Sequence, residues 1–171
     1  GEVTASFSNN TDNLIPYLEG YEIYYKFYWN LDLLRSEKDI LYNLDLTRKQ
    51  KLSELNYRRL YAVDPDTVYS TEPEVLTTRP PLIEIKDFNK DDIFNVTIDF
   101  LNWVYYPEIE YLDQTVNFCR YIEDPETEVF VEFKPFTFLP EYFDQKYEDI
   151  PTPSSSDNTD FIYLALYVMT Y

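Results

Sequence analysis

The chain has 171 residues, 44% of them hydrophobic, which suits one globular domain with its own core; no apolar run reaches the ~18 residues of a membrane-spanning helix. It has no His, two Gly (Gly1 and Gly20) and one Cys, which excludes Ser-His-Asp and Cys-His catalysis, His-based zinc sites, P-loops and dinucleotide fingerprints. The net charge of −18, from 14 Lys and Arg against 32 Asp and Glu, makes nucleic acid a poor partner, because phosphate neutralisation needs a basic surface, and disfavours anionic lipid surfaces for the same reason; no nucleic-acid partner is expected.

Residues 1–16 are polar, with Ser8 to Asn13 reading as a loop and Val3 to Phe7 as a short strand. They contain no signal peptide, and the start reads as a processed or engineered end. Gly20 to Trp29 is the clearest strand: Tyr21, Ile23, Tyr25, Phe27 and Trp29 share one face, and Glu22, Tyr24, Lys26 and Tyr28 the other. The pattern then changes. Ser36 with Asp39 resembles a capping box ahead of Ile40, Leu41 and Leu44, and Thr47 is a second cap before Leu52 and Leu55. A helical insertion at about 36–58 is expected, with Arg48, Lys49 and Lys51 on its solvated side. Arg59, Tyr61 and Val63 begin a new strand. Pro65, Pro73, Pro80 and Pro81 make the next stretch extended or looped, at a sheet edge.

Period-two alternation then predicts strands around Ile83–Ile85, Phe94–Phe100, Val116–Ile122 and Val129–Phe133. Cys119 falls inside one of them and reads as a small buried hydrophobe. Pro151 to Asp157 reads as a loop. Phe161 to Tyr171 is a last strand, apolar on both faces, for which a central position in a sheet is expected. Several short strands and one helical insertion predict a mainly β fold, an antiparallel β-sandwich occupying residues 1–171 as a single domain.

Gly20-Tyr21-Glu22-Ile23-Tyr24-Tyr25-Lys26 resembles the third strand of fibronectin type III domains, and Tyr163-Leu164-Ala165-Leu166-Tyr167-Val168 is similar to the penultimate strand of that family. The resemblance implies a fibronectin-like sandwich. The chain departs from it in carrying no Trp before Gly20 and in the helical segment after Trp29. In residue usage the chain also resembles lipoproteins of AT-rich bacteria such as spirochaetes. That resemblance implies an exported protein of the periplasm or cell surface, held to the membrane only by an N-terminal lipid anchor.

Two groups of residues are candidate sites. Asp87, Asn89 and Asp91 begin like an Asp-x-Asn-x-Asp calcium loop, which supplies several oxygens within a few residues. Asp92 and Ile98 stand where that loop needs Gly and Glu, so a polar turn is the competing reading. Trp103, Tyr105 and Tyr106 form an aromatic group of the kind that stacks on sugar rings or grips peptides, against which stands ordinary core packing. No catalytic residue and no cofactor is expected. The function expected is a non-catalytic cell-envelope interaction domain, monomeric, with a protein or glycan partner. The alternative is a carbohydrate-binding module supported by calcium. A carboxylate-based hydrolase is a third reading, requiring a cleft with two acidic groups.

Overall fold

The computed structural model describes residues 2–8, 19–43, 48–62, 81–85, 91–99, 108–112, 114–124, 129–133 and 149–170. Along the chain the elements are β1 (Glu2–Ser8), β2 (Gly20–Tyr28), α1 (Leu31–Tyr42), α2 (Arg48–Glu54), β3 (Arg58–Arg59), β4 (Tyr61–Ala62) and β5 (Ile83–Glu84). Then come β6 (Ile93–Asp99), β7 (Glu108–Tyr111), β8 (Gln114–Asp124), β9 (Val129–Phe133) and β10 (Tyr163–Thr170). All pairing among the described residues is antiparallel. One sheet runs β1-β6-β7-β8-β4 with β9 also on β8; the other runs β10-β2-β3 with β5 also on β2. The architecture is mainly β, a sandwich with a short helical insertion.

The alternation in β2 explains the layering. Tyr21, Ile23, Tyr25 and Phe27 pack against Phe94, Val96 and Ile98 of β6, Ile109 and Tyr111 of β7 and Phe118 of β8. Each fully buried side chain of this size contributes roughly 1.5–3 kcal/mol. Tyr24 and Tyr28, on the opposite face of β2, are buried with Leu41 of α1, Leu52 of α2 and Tyr57. The helices therefore form a third layer over one sheet, and β2 is covered on both faces.

The helical layer begins earlier than the expected 36–58. Asn30, in an extended backbone conformation, caps α1 by accepting from the Asp32 and Leu33 amides at 2.9 and 3.1 Å. Asp32 adds a carboxylate to the positive end of the helix. Ser36 lies inside the helix and donates to the Leu33 carbonyl instead of capping. At the other end Asn56 takes a left-handed φ of 60°. The Asn56 amide then bonds the Ser53 carbonyl and the Tyr57 amide the Leu52 carbonyl, the paired bonds of a Schellman stop. That turn lays Tyr57 against Leu52 and sends the chain into β3.

Arg58 to Ala62 crosses between the sheets. Arg58 and Arg59 pair with Tyr25 and Tyr24 of β2, whereas Tyr61 and Ala62 pair with Cys119 and Phe118 of β8. Leu60, fully buried, is the corner. The strand pattern read at Arg59 and Tyr61 is thus divided between two sheets. Cys119 is buried as expected, its Sγ 3.6 Å from the Tyr61 carbonyl oxygen.

Two expectations change. Among the described residues β10 pairs with β2 alone and stands at the end of its sheet, where a central position was expected. Its two apolar faces reflect cover from above and below: Leu164, Leu166 and Val168 face the inter-sheet core, and Tyr163, Tyr167 and Met169 the helical layer. The second change is an unanticipated strand, β7, whose Ile109 and Tyr111 are core residues.

Gly20 is buried where β5 approaches β2, with Gly20 opposite Glu84. A Cβ there would collide with the Ile83 carbonyl oxygen and press on the Pro81 ring. Gly20→Ala is expected to destabilise the fold by about 1–3 kcal/mol through overpacking. Urea denaturation should show a lowered midpoint at unchanged slope. An unchanged midpoint would mean that β5 does not need this close approach.

Candidate functional site

Covering both faces of β2 puts charges in the interior, where each needs a partner. Lys26 is held by Glu37 of α1, with Nζ 2.8 and 3.0 Å from the two carboxylate oxygens, and it donates to the Leu55 carbonyl at 2.6 Å. The same ammonium stands 4.8 Å from the centre of the Tyr28 ring. Tyr28 donates to Glu37 Oε2 at 2.6 Å, and its oxygen lies 2.9 Å from that of Tyr57. Glu22 is similarly engaged: Tyr24 donates to it at 2.7 Å, and Arg59 and Lys49 reach it at 3.2 and 3.3 Å. Burial, followed by hydrogen bonding to these carboxylates, pushes the Tyr24 and Tyr28 hydroxyls far above their ordinary range. Burial likewise raises Tyr57.

A second buried pair spans the sandwich. Arg120 of β8 meets Asp149 Oδ2 at 2.7 Å, and Tyr25 of β2 donates to the same oxygen at 2.8 Å. The Arg120 guanidinium lies 5.3 Å from the centre of the Phe27 ring. Tyr25 is pushed well above its ordinary range, first by burial and then by the Asp149 charge. Asp149 opens the segment leading to β10. Two residues on, the Pro151 carbonyl accepts from the Trp29 indole, so this segment is pinned against the end of β2.

Between that segment, the end of β2 and the α2–β3 turn lies a cleft of about 590 Å³. Lys26, Tyr28, Trp29 and Tyr57 line it, and Asn30, Asn56, Arg58, Thr152 and Asp157 also border it. Asp157 accepts from the Ser154 amide at 2.8 Å, which folds the loop onto the rim and holds its carboxyl below the usual range. The volume falls within the ordinary range of ligand sites. Two carboxylates border the cleft, as a hydrolase would need, but Asp149 is locked to Arg120 and Tyr25. The arrangement can hold a ligand by hydrogen bonds and stacking, with its inner polar groups already committed to one another.

The cleft is not the site read from the sequence. Trp103, Tyr105, Tyr106, Asp87 and Asn89 lie outside the described residues. Asp91 is exposed in the turn before β6, while Asp92 is buried and accepts from the Tyr111 hydroxyl at 2.9 Å. Among the described residues no group of three or more His, Cys, Asp or Glu side chains is placed to hold a metal. Of the basic residues expected on a solvated helix side, Arg48 and Lys49 are exposed, the Lys49 ammonium lying 3.3 Å from the Glu22 carboxylate, and Lys51, half-buried, pairs with Glu54 at 2.9 Å. No helix among the described residues is long and apolar enough to cross a membrane. Neither a protein-family model nor a curated protein nor a solved structure matches the chain.

Arg120→Met leaves Asp149 charged and buried without its cation, an expected cost of about 3–5 kcal/mol. Arg120→Met combined with Asp149→Leu should recover most of that loss, and a double-mutant cycle in urea measures the coupling. Additive losses would show that the two side chains do not interact.

Alkaline behaviour follows from the tyrosines. In the unfolded chain Tyr24, Tyr25, Tyr28 and Tyr57 release their protons near about pH 10; in the folded protein all four hold them to higher pH. Stability contributed by these groups is complete below about pH 10 and is lost as pH rises above it. Tyr28→Phe should make that fall shallower, as urea midpoints and tyrosinate absorbance would record. Ordinary titration of all tyrosines in the folded protein would contradict the buried network.

Proposed function

We propose that this chain is a non-catalytic interaction domain of the cell envelope, and that the cleft beyond the end of β2 is where it binds. The observation that carries the reading is the state of the cleft's polar interior. Of the lining side chains, Lys26 and Tyr28 are each bound by Glu37 of α1, and Tyr28 by Tyr57, at 2.6–3.0 Å. A general acid or base must move a proton at the working pH, and here the hydroxyls are held protonated far from that range. What remains for a ligand is shape, the Trp29 wall and the rim. Placement in the envelope rests on the resemblance to bacterial lipoproteins and on the acidic composition, and the fibronectin-like reading of β2 and β10 belongs to the same proposal.

A second reading is a carbohydrate-binding module. It is favoured by Trp29 and Tyr57 bordering one cleft with Asn30, Asn56 and Asp157, since aromatic faces stack on sugar rings while amides and carboxylates meet hydroxyls.

The two readings separate in one experiment. The labelled domain is screened on a glycan array and, in parallel, used to capture partners from envelope extracts, beside the Asn56→Gly variant. Gly tolerates the left-handed backbone at this position while removing the amide. If the cleft binds, whichever interaction appears should weaken at least about tenfold in the variant, roughly 1.4 kcal/mol. A partner captured equally by both proteins would move the binding surface elsewhere, and selective glycan binding lost in the variant would establish the carbohydrate reading.

A further inference from the structure

Where the helices meet β10 there is a second hollow, of about 470 Å³, within the ordinary range of ligand sites. Tyr57 borders both it and the cleft; the other described residues around it are different. Leu34 and Leu41 of α1, with Ala165, Leu166 and Val168 of β10, give it an apolar lining that is buried or half-buried. Two of its described lining residues are charged, Lys38 of α1 and Arg48 of α2; both are cations and both are exposed. Tyr42, 69% exposed, also borders the hollow. The Lys38 ammonium lies 5.5 Å from the centre of the Tyr42 ring, a contact that limits where the ammonium can point.

This lining selects a ligand by its chemistry. Aliphatic side chains take hydrocarbon out of water. An ammonium and a guanidinium take an oxyanion, the guanidinium with two parallel N–H donors that match a carboxylate. The cations are exposed and the aliphatic groups are withdrawn from water, so a molecule that fits both has a charged head and an apolar body. The acidity of the whole chain does not oppose such a ligand. Residues 31–59 carry seven Lys and Arg against five Asp and Glu, a local net charge of +2 in a chain of −18. Charges are screened beyond about 8 Å at physiological salt. A small anion in the hollow therefore responds first to Lys38 and Arg48, whereas an extended anionic surface would meet the acidic remainder of the molecule.

We propose that the hollow bordered by α1, α2 and β10 is a second binding site, and that it takes a small amphipathic carboxylate. Lys38 and Arg48 hold the carboxylate, and Leu34, Leu41, Ala165 and Val168 hold the hydrocarbon. The site is separate from the cleft and does not depend on what the cleft binds.

The test uses three probes that share one tail and differ in the head: octanoate, 1-octanol and octylammonium. Each is titrated into the protein and followed by NMR. Octanoate should bind at least about tenfold more tightly than 1-octanol, octylammonium should bind most weakly, and the shifts should centre on Leu34, Ala165 and Val168. Raising the salt to about 1 M, where the screening length falls to about 3 Å, should narrow the gap between octanoate and 1-octanol. Lys38→Gln combined with Arg48→Gln should bring octanoate down to the affinity of 1-octanol and leave 1-octanol unchanged. Both side chains are exposed, and unchanged amide shifts in β2 and β10 before ligand is added would report that the variant is folded. Equal affinity for the three probes overturns the proposal, since the hollow would then be selecting hydrocarbon alone. Octanoate binding that survives the double substitution, or that shifts residues away from the hollow, overturns it too, as does the absence of binding.

Discussion

Burying β2 on both faces makes two charged residues, Glu22 and Lys26, part of the interior, and much of the architecture answers that constraint. A buried carboxylate or ammonium is tolerated only with a counter-charge and enough hydrogen bonds. Glu37 supplies the counter-charge for Lys26 from α1, and Arg59 and Lys49 supply it for Glu22 from β3 and α2. The helical layer is thus an electrostatic cover as well as an apolar one. Residues 31–59 hold seven of the chain's 14 Lys and Arg but only five of its 32 Asp and Glu. The strongly acidic character of the molecule belongs to the rest of the chain.

The same constraint produces the cleft. Once Lys26, Tyr28, Tyr57 and Glu37 are bound to one another at the base of the helices, the chain leaving β2 must turn at Trp29 and Asn30. The returning segment is pinned by Asp149 and Pro151. The space between has a rigid interior and a varied rim. Lys26, Tyr28 and Tyr57 are already fixed there by packing and hydrogen bonds, so these side chains have little ordering left to undergo.

Much of the fold was legible in the sequence where the signal was local. The period-two run in β2 needed no context, and the alternations behind β6, β8 and β9 were equally direct. The start of α1 was misplaced because Ser36 and Asp39 match a capping pattern by spacing alone, whereas Asn30 is the residue whose side chain reaches the free amides. β7 escaped notice because its Glu108-Ile109-Glu110-Tyr111 alternation is short and follows a dense aromatic stretch. For β10 the sequence showed two apolar faces correctly, but faces and edges are independent. The cleft was not legible at all: Asn30 and Asp157 approach each other across 127 positions, and no window of sequence contains both.

The pairing of β2 with β10 has a consequence in time. Tyr21 lies opposite Thr170, so a strand made near the beginning waits for one made near the end. During synthesis the apolar edge and faces of β2 exist long before their partner, and the helices alone can shelter one side of it. Closing so long a loop is slow compared with forming α1, α2 or the β7–β8 hairpin. While β2 is formed but unpaired, its edge toward β10 and its apolar faces stay open to pairing with other chains.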